Sequence, residues 1–132
     1  MLKWVYICLF VSYSNLSLSQ KNINLSNTTW KLKNGNDLLI FKGDSLIEVL
    51  NKEIEYYVYS IEDSVFMDGM IIKGSDSEKI LVLKQNHMVV FCYYIIGYSK
   101  SELDLLTGNN LRPLIYYRNK KNNRPLKKYH KY

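Results

Sequence analysis

The residues best suited to catalysis or metal binding are few and scattered in this chain of 132 residues. One of the two histidines, His87, follows Asn86 in a predicted turn, and the other, His130, lies near the end of the chain. A lone histidine without nearby cysteine or carboxylate ligands does not make a zinc site. We therefore predict an exposed turn histidine, no bound metal and no cofactor.

Glu53 and Glu55 form the carboxylate pair closest to a catalytic arrangement, because residues two apart lie on the same face of a strand. Paired carboxylates serve as acid and base in glycoside hydrolysis. Tyr57 continues the same face, however, so we favour a solvated strand face. The sequence contains no nucleophile elbow, phosphate-binding glycine loop or Cys-x-x-Cys pair. We predict no catalytic residues and a protein that is not an enzyme.

Cys92 lies in an apolar run over residues 88–96, where burial would raise its pKa and leave the thiol inert. The other cysteine, Cys8, falls in the leader described below. A single cysteine in the remaining chain forms no internal disulfide, so the fold must depend on its apolar core.

The first 19 residues have the pattern of a secretory signal peptide. Lys3 precedes an apolar stretch over residues 4–13, and small residues at Ser17 and Ser19 precede Gln20. The apolar stretch is shorter than the roughly 20 residues that a membrane-spanning helix needs. An uncleaved anchor or a first core strand is the alternative. The pattern predicts an exported protein, either periplasmic or secreted.

The net charge of +6 comes from the end of the chain. Residues 20–118 hold eleven basic and twelve acidic residues, whereas residues 119–132 hold six basic and no acidic ones. Such a block predicts a solvated, disordered tail. The tail could also contact an anionic surface, with peripheral membrane contact at most. The near-neutral body and the predicted export argue against nucleic acid as a partner.

Residues 20–118 consist of short strand-like runs separated by turn signals, such as Asn34-Gly35 and Gly43-Asp44. We predict an all-β domain, a small antiparallel up-and-down barrel of about eight strands. Residues 101–106 are predicted to form one helical turn, because Ser101 and Asp104 fit a weak capping box.

Three segments of this domain resemble the short bacterial lipocalin-like proteins of the calycin group. They are Thr28-Thr29-Trp30-Lys31-Leu32, then Ile40-Phe41-Lys42-Gly43-Asp44, and finally Tyr116-Tyr117-Arg118. Thr28 stands where that family usually has glycine. The resemblance implies an eight-stranded barrel with an apolar interior. It also implies that the Arg118 guanidinium lies over the Trp30 indole at the closed end, as a structural contact.

Eight tyrosines lie in or beside the predicted strands, and adjacent Tyr-Tyr pairs point one ring inward and one outward. Inward rings can line a pocket, or they can simply fill a narrow barrel. Two hypotheses follow. In the first, the barrel binds a hydrophobic small molecule among residues such as Phe41, Tyr57 and Phe91. In the second, the core is filled, and the outer face or basic tail binds protein, polysaccharide or the envelope surface.

Overall fold

The computed structural model describes residues 22–75, 78–108 and 112–120, and this part of the chain is all-β. Eight antiparallel strands form a closed barrel, which confirms the predicted fold class. The barrel strands are β1 (Thr28–Leu32), β2 (Leu38–Lys42), β3 (Ser45–Leu50), β4 (Glu53–Glu62), β7 (Lys79–Gln85), β8 (Met88–Tyr98), β9 (Glu102–Leu106) and β10 (Leu114–Arg118). A separate hairpin consists of β5 (Ser64–Met67) and β6 (Met70–Lys73).

The barrel has the predicted up-and-down order. Each strand pairs with the barrel strand that follows it in sequence, and β7 takes the place next to β4 because the hairpin intervenes. The ring closes where β1 pairs with β10, with Trp30 opposite Arg118. Closure gives every barrel strand two neighbours, so no barrel strand offers a free edge for pairing with another chain.

Two-residue turns connect three pairs of strands, and both of their central residues have positive φ. These turns are Asn51-Lys52, Asp68-Gly69 and Asn86-His87. Positive φ at both positions defines the type I′ turn, whose twist matches that of the flanking strands. Gly43, at φ 59°, provides the positive φ between β2 and β3.

The helical turn predicted at residues 101–106 is wrong, because Glu102–Leu106 forms strand β9. Leu103 and Leu105 are fully buried, whereas Glu102 and Asp104 alternate with them on the other face. This period of two is the signature of a strand. Pairing with β8 and β10 therefore outweighs the weak local capping signal.

Two predicted segments lie outside the described residues. They are the signal peptide at residues 1–19 and, apart from Asn119 and Lys120, the basic tail at residues 119–132. No helix in the described part of the chain is long and apolar enough to cross a membrane.

Alternate residues of the barrel strands point inward and form the main core. Trp30, Leu46 and Leu81 are typical members, each with essentially no exposed surface. A second apolar cluster lies on the opposite, outward faces of β2 and β3. It consists of Leu38, Ile40, Ile47 and Val49, with Ile54 of β4 packed against it. β2 and β3 are therefore apolar on both faces.

The β5–β6 hairpin packs near β7 and β8 and has two different faces. The Val65–Ile72 pair is half-buried, whereas the Phe66–Ile71 pair is largely exposed. An ion pair between Asp63 and Lys79 joins the segments that enter and leave the hairpin. The hairpin thus extends the barrel without contributing to its closed sheet.

Candidate ligand-binding site at the barrel mouth

One end of the barrel is closed by the segment that precedes β1. Leu25 is 1% exposed and belongs to the core, and the Tyr98 hydroxyl donates a hydrogen bond to the Asn24 carbonyl at 2.9 Å. The Trp30 indole Nε1 donates to Thr28 Oγ1 at 2.7 Å, and the Thr28 hydroxyl donates to the Leu25 carbonyl. These contacts hold the segment that precedes β1 across the closed end of the barrel.

Trp30 and Arg118 lie at this closed end. They are register partners on β1 and β10, and the Arg118 guanidinium carbon is 6.0 Å from the centre of the Trp30 ring system. This distance lies at the outer limit of a cation–π contact. Trp30 is completely buried, so its ring is part of the packing at the closed end and offers no surface to a ligand.

Side chains fill the part of the barrel interior that adjoins this closed end. Phe41 is 1% exposed and packs edge-on against Tyr59, with ring centres 4.9 Å apart. The Tyr59 hydroxyl donates to the Gly43 carbonyl at 2.9 Å, which holds that ring in place. An eight-stranded barrel is just wide enough for its own side chains. The lower interior is therefore packed core.

The opposite end, where β3 turns into β4 and β7 turns into β8, is open, and we call it the mouth. It contains a cavity of about 380 Å³. Its lining residues come from β3, β4, β7 and β8 and are Glu48, Leu50, Glu55, Tyr57, Leu83, Gln85, Val90, Phe91 and Tyr93. The cavity thus combines aromatic rings and aliphatic side chains with two carboxylates and one amide.

The alternation of β3 and β4 places both carboxylates toward the barrel axis. Leu46 faces the core and pairs with Tyr57, so the next inward pair toward the mouth is Glu48 and Glu55. Glu48 is 5% exposed, whereas Glu55 is exposed at the rim. Register therefore fixes one carboxylate inside the cavity and the other at its entrance.

A β-bulge in β8 shapes the opposite wall. Leu83 pairs with Phe91 and Lys84 pairs with Val89, which leaves Val90 as the extra residue. Bulges bend a strand and redirect its side chains. As a result the consecutive residues Val90 and Phe91 both line the cavity. The Phe91 ring also packs edge-on against Tyr93, with centres 4.8 Å apart.

The backbone pairing between β4 and β7 ends at the Val58–Lys84 pair. Between this pair and the mouth, the Gln85 side chain connects the two strands. Its side-chain Nε2 donates to the Tyr56 carbonyl at 3.1 Å and to Glu55 Oε2 at 3.3 Å. These bonds join the two strands where backbone pairing has stopped. They also hold the Glu55 carboxylate at the rim.

Glu48 is the chemically unusual residue of the cavity. Burial raises its pKa above the ordinary value, and the nearby carboxylates of Asp37 and Glu55 raise it further. The Tyr93 hydroxyl, which donates to Glu48 Oε2 at 3.2 Å, acts in the opposite direction by stabilising the charged form. The carboxylate therefore depends on Tyr93 for its stabilisation.

The phenols around Glu48 stay protonated. Burial raises the pKa of both Tyr93 and Tyr116, and the Glu48 charge raises it further. The pKa of Tyr57 is raised by the same two causes, and Glu55 also contributes. Protonated hydroxyls can donate hydrogen bonds. The mouth thus offers phenol donors beside one buried acceptor.

The hypothesised ligand-binding residues occupy different places. Tyr57 and Phe91 line the mouth cavity, whereas Phe41 lies in the packed core and is not among the lining residues. Sequence reasoning missed Glu48. The available signal was a single acid among the apolar residues of the strand SLIEVL, on the face that it shares with Leu46.

A larger depression of about 550 Å³ lies on the outer wall beside β4 and β7, lined by residues including Tyr56, Val58 and Lys84. It is more open than the mouth cavity, and each of these three side chains is at least partly exposed. Binding sites are concave and bury most of their ligand. The mouth, with its buried carboxylate, is therefore the better candidate.

No three potential metal ligands come together within residues 22–75, 78–108 and 112–120. His87 lies exposed in its turn with φ 65°. Burial raises the pKa of the Cys92 thiol, which makes it a poor nucleophile.

Comparison with known proteins gave no match: no protein-family model fits the chain, and no curated protein or solved structure matches it.

Proposed function

We propose that this protein is an exported carrier or sensor that binds a hydrophobic small molecule at the mouth of its barrel. The observation that supports the proposal is the cavity of about 380 Å³, in which aromatic rings surround one buried carboxylate. Ligand pockets commonly measure about 300–1,000 Å³ and combine apolar walls with a few polar groups. The mouth fits this description at the small end of the range.

The packed core limits the ligand that the proposal allows. Phe41 and Leu81 fill the barrel below the mouth, so a ligand cannot descend to the closed end. We therefore expect a compact apolar group, such as a ring or a short chain, inserted between Tyr57 and Phe91. The rest of the ligand would remain at the rim.

The test is a titration with N-phenyl-1-naphthylamine, a neutral apolar dye that fluoresces more strongly in a dry environment. The proposal predicts saturable binding to the purified protein and a loss of at least about fivefold in affinity for Phe91→Ala, which converts to about 1 kcal/mol. Phe66→Ala is the matched control, because it removes the same ring from the hairpin, where Phe66 is 68% exposed.

Two results would contradict the proposal. One is the absence of saturable dye binding, and the other is an equal loss of affinity in both variants. Phe91 is 40% exposed, so its replacement should leave the barrel folded, which circular dichroism would verify.

A second candidate function is binding of an anionic envelope surface through the outside of the molecule. The observation that favours it is the exposed apolar face of the hairpin, where Phe66, Met70 and Ile71 are 68%, 64% and 76% exposed. A basic tail follows β10, which ends at the same end of the barrel as the hairpin. Apolar insertion and basic attraction together support peripheral membrane binding.

Co-sedimentation with vesicles tests this second candidate. It predicts binding to vesicles that contain phosphatidylglycerol, weaker binding after Phe66→Ser with Ile71→Ser, and little binding to neutral phosphatidylcholine vesicles. Equal recovery of the protein with both kinds of vesicle, or no recovery, would argue against it.

Export is part of the proposal and depends on the signal peptide predicted over residues 1–19. Fractionation of producing cells followed by N-terminal sequencing tests it. We expect a periplasmic or secreted protein that begins at Gln20. An intact N-terminus on cytoplasmic protein would contradict export.

A further inference from the structure

The carboxylate of Glu48 is buried without a cation. The residue is 5% exposed and forms no ion pair with any residue that the structure describes. Oε2 accepts the hydrogen bond from Tyr93, whereas Oε1 accepts none from the described chain. Buried carboxylates in proteins are usually paired or fully hydrogen-bonded, because removal from water is costly. Glu48 thus keeps an unused acceptor in a cavity open to ligands.

The surroundings of Glu48 increase the need for a positive charge. Asp37 and Glu55 are the charged groups that act on it, and both are acidic. None of the residues lining the cavity is lysine, arginine or histidine. The negative potential of this mouth would attract a cation and repel an anion.

Aromatic rings complete a site for such a cation. Tyr57, Phe91 and Tyr93 line the same cavity as Glu48. The face of an aromatic ring attracts ammonium groups, and aromatic cages beside a carboxylate suit amines that also carry apolar groups. The rings can therefore contact the apolar body of a ligand as well as its charge.

We propose that the mouth binds primary amines with an apolar body, and that Glu48 is the counter-ion for the ammonium group. This inference rests on the proposed function, because it names the chemical class of the ligand at the same site. The Tyr93 hydroxyl holds Oε2, so Oε1 remains free for the ammonium. The apolar body lies against Tyr57 and Phe91.

Three compounds that differ in one group provide the test: 4-phenylbutylamine, 4-phenylbutanol and 4-phenylbutyrate. Each is measured by displacement of N-phenyl-1-naphthylamine from the full-length protein at neutral pH. We expect the amine to bind at least tenfold more tightly than the alcohol, and the carboxylate to bind most weakly. Added salt should weaken amine binding and leave alcohol binding unchanged, a measurement that needs no variant.

Glu48→Gln keeps the size of the side chain and its ability to accept from Tyr93. This variant should reduce the preference for amine over alcohol to less than threefold without weakening the alcohol. Glu62→Gln is the matched control, since it removes one exposed charge from the far end of β4 and should leave the preference intact.

The outcomes separate this inference from the proposed function. Equal affinity for amine and alcohol, or an unchanged preference in Glu48→Gln, would overturn the amine proposal while dye binding upheld the site. Dye that binds and is displaced by none of the three compounds would also overturn it. Failure of the dye itself to bind would contradict both the proposed function and this inference.

Discussion

Replacing Tyr93 with phenylalanine tests the electrostatics of the mouth with the removal of one oxygen. The hydroxyl donates to Glu48 Oε2, and in its absence that buried carboxylate would have no hydrogen-bond donor among the described residues. The ring itself remains and keeps its edge contact with Phe91. The variant therefore removes the hydrogen bond to the Glu48 carboxylate and changes little of the packing.

The size of the effect follows from the geometry. Hydrogen bonds to charged groups contribute about 1.5–3 kcal/mol to stability, against about 0.5–1.5 kcal/mol for neutral pairs. The Tyr93–Glu48 distance of 3.2 Å is long for a hydroxyl donating to a carboxylate. We therefore expect the low end, a loss of about 1.5 kcal/mol at neutral pH. For a domain of this size, that loss lowers the melting temperature by roughly 6–12 °C.

The loss should depend on pH in a defined direction. The folded-state pKa of Glu48 lies above its ordinary value of 4.5, so the folded protein holds this proton more tightly than the unfolded chain. Below pH 4.5 both states are protonated, and the full stability is present. As pH rises through the raised pKa, the charge forms in the core and stability falls. Tyr93→Phe raises that pKa further, so its extra cost appears above pH 4.5.

Urea denaturation followed by circular dichroism measures the loss in free energy of unfolding at pH 4 and at pH 8. We expect Tyr93→Phe to lose about 1.5 kcal/mol at pH 8 and about 0.5 kcal/mol at pH 4. In a Glu48→Gln background the difference between the two pH values should vanish. A loss that is equal at both pH values, or no loss at all, would refute the assignment of Tyr93 as the support of a buried charge.

Three further predictions concern the rest of the barrel. Trp30→Ala should lose about 3–5 kcal/mol in urea denaturation, because it removes a fully buried ring from the closed end; a loss below about 1 kcal/mol would contradict that packing. Gly97→Ala should cost about 1–3 kcal/mol, since its new Cβ would lie 2.6 Å from Asp104 Oδ2 and also only 3.2 Å and 3.3 Å from Asp104 Cγ and Cβ, so that rotation of the carboxylate alone does not relieve the contact. Gly108→Ala, with nothing within 4 Å, is its neutral control, and equal melting temperatures of the two variants would be the contrary result. Iodoacetamide should modify Cys92 at least about tenfold more slowly in the folded protein than in guanidinium, as peptide mapping would show, because burial raises its pKa; equal rates would mean that the thiol is accessible.

The fold could be predicted from the sequence because the turn residues and strand patterns that specify it are local features. Turn residues such as Gly43 and Asn86 separate short runs, and those runs alternate or are continuously apolar, as expected for barrel strands. The exception was β9, where a Ser101–Asp104 spacing typical of a helix start competes with the strand alternation of Leu103 and Leu105. The strand forms rather than the helical turn because β9 pairs with both β8 and β10.

The site was less accessible to sequence reasoning, because it depends on register between distant strands. Glu48 and Tyr93 are 45 residues apart, and no local pattern predicts that their side chains meet. The bulge that brings Val90 to the mouth beside Phe91 is likewise a property of the pairing with β7. Tyr57 could be proposed from its type and strand, whereas Phe41 could not be recognised as packed core before the closed end was located.

The most direct test of a ligand site at the mouth is a titration of the ¹⁵N-labelled protein with N-phenyl-1-naphthylamine, followed residue by residue in amide NMR spectra. We expect saturable shifts concentrated at Glu48, Tyr57, Gln85 and residues 90–93, with the β5–β6 hairpin unchanged. Shifts concentrated at Phe66 and Ile71, or no saturable shifts, would contradict a ligand site at the mouth.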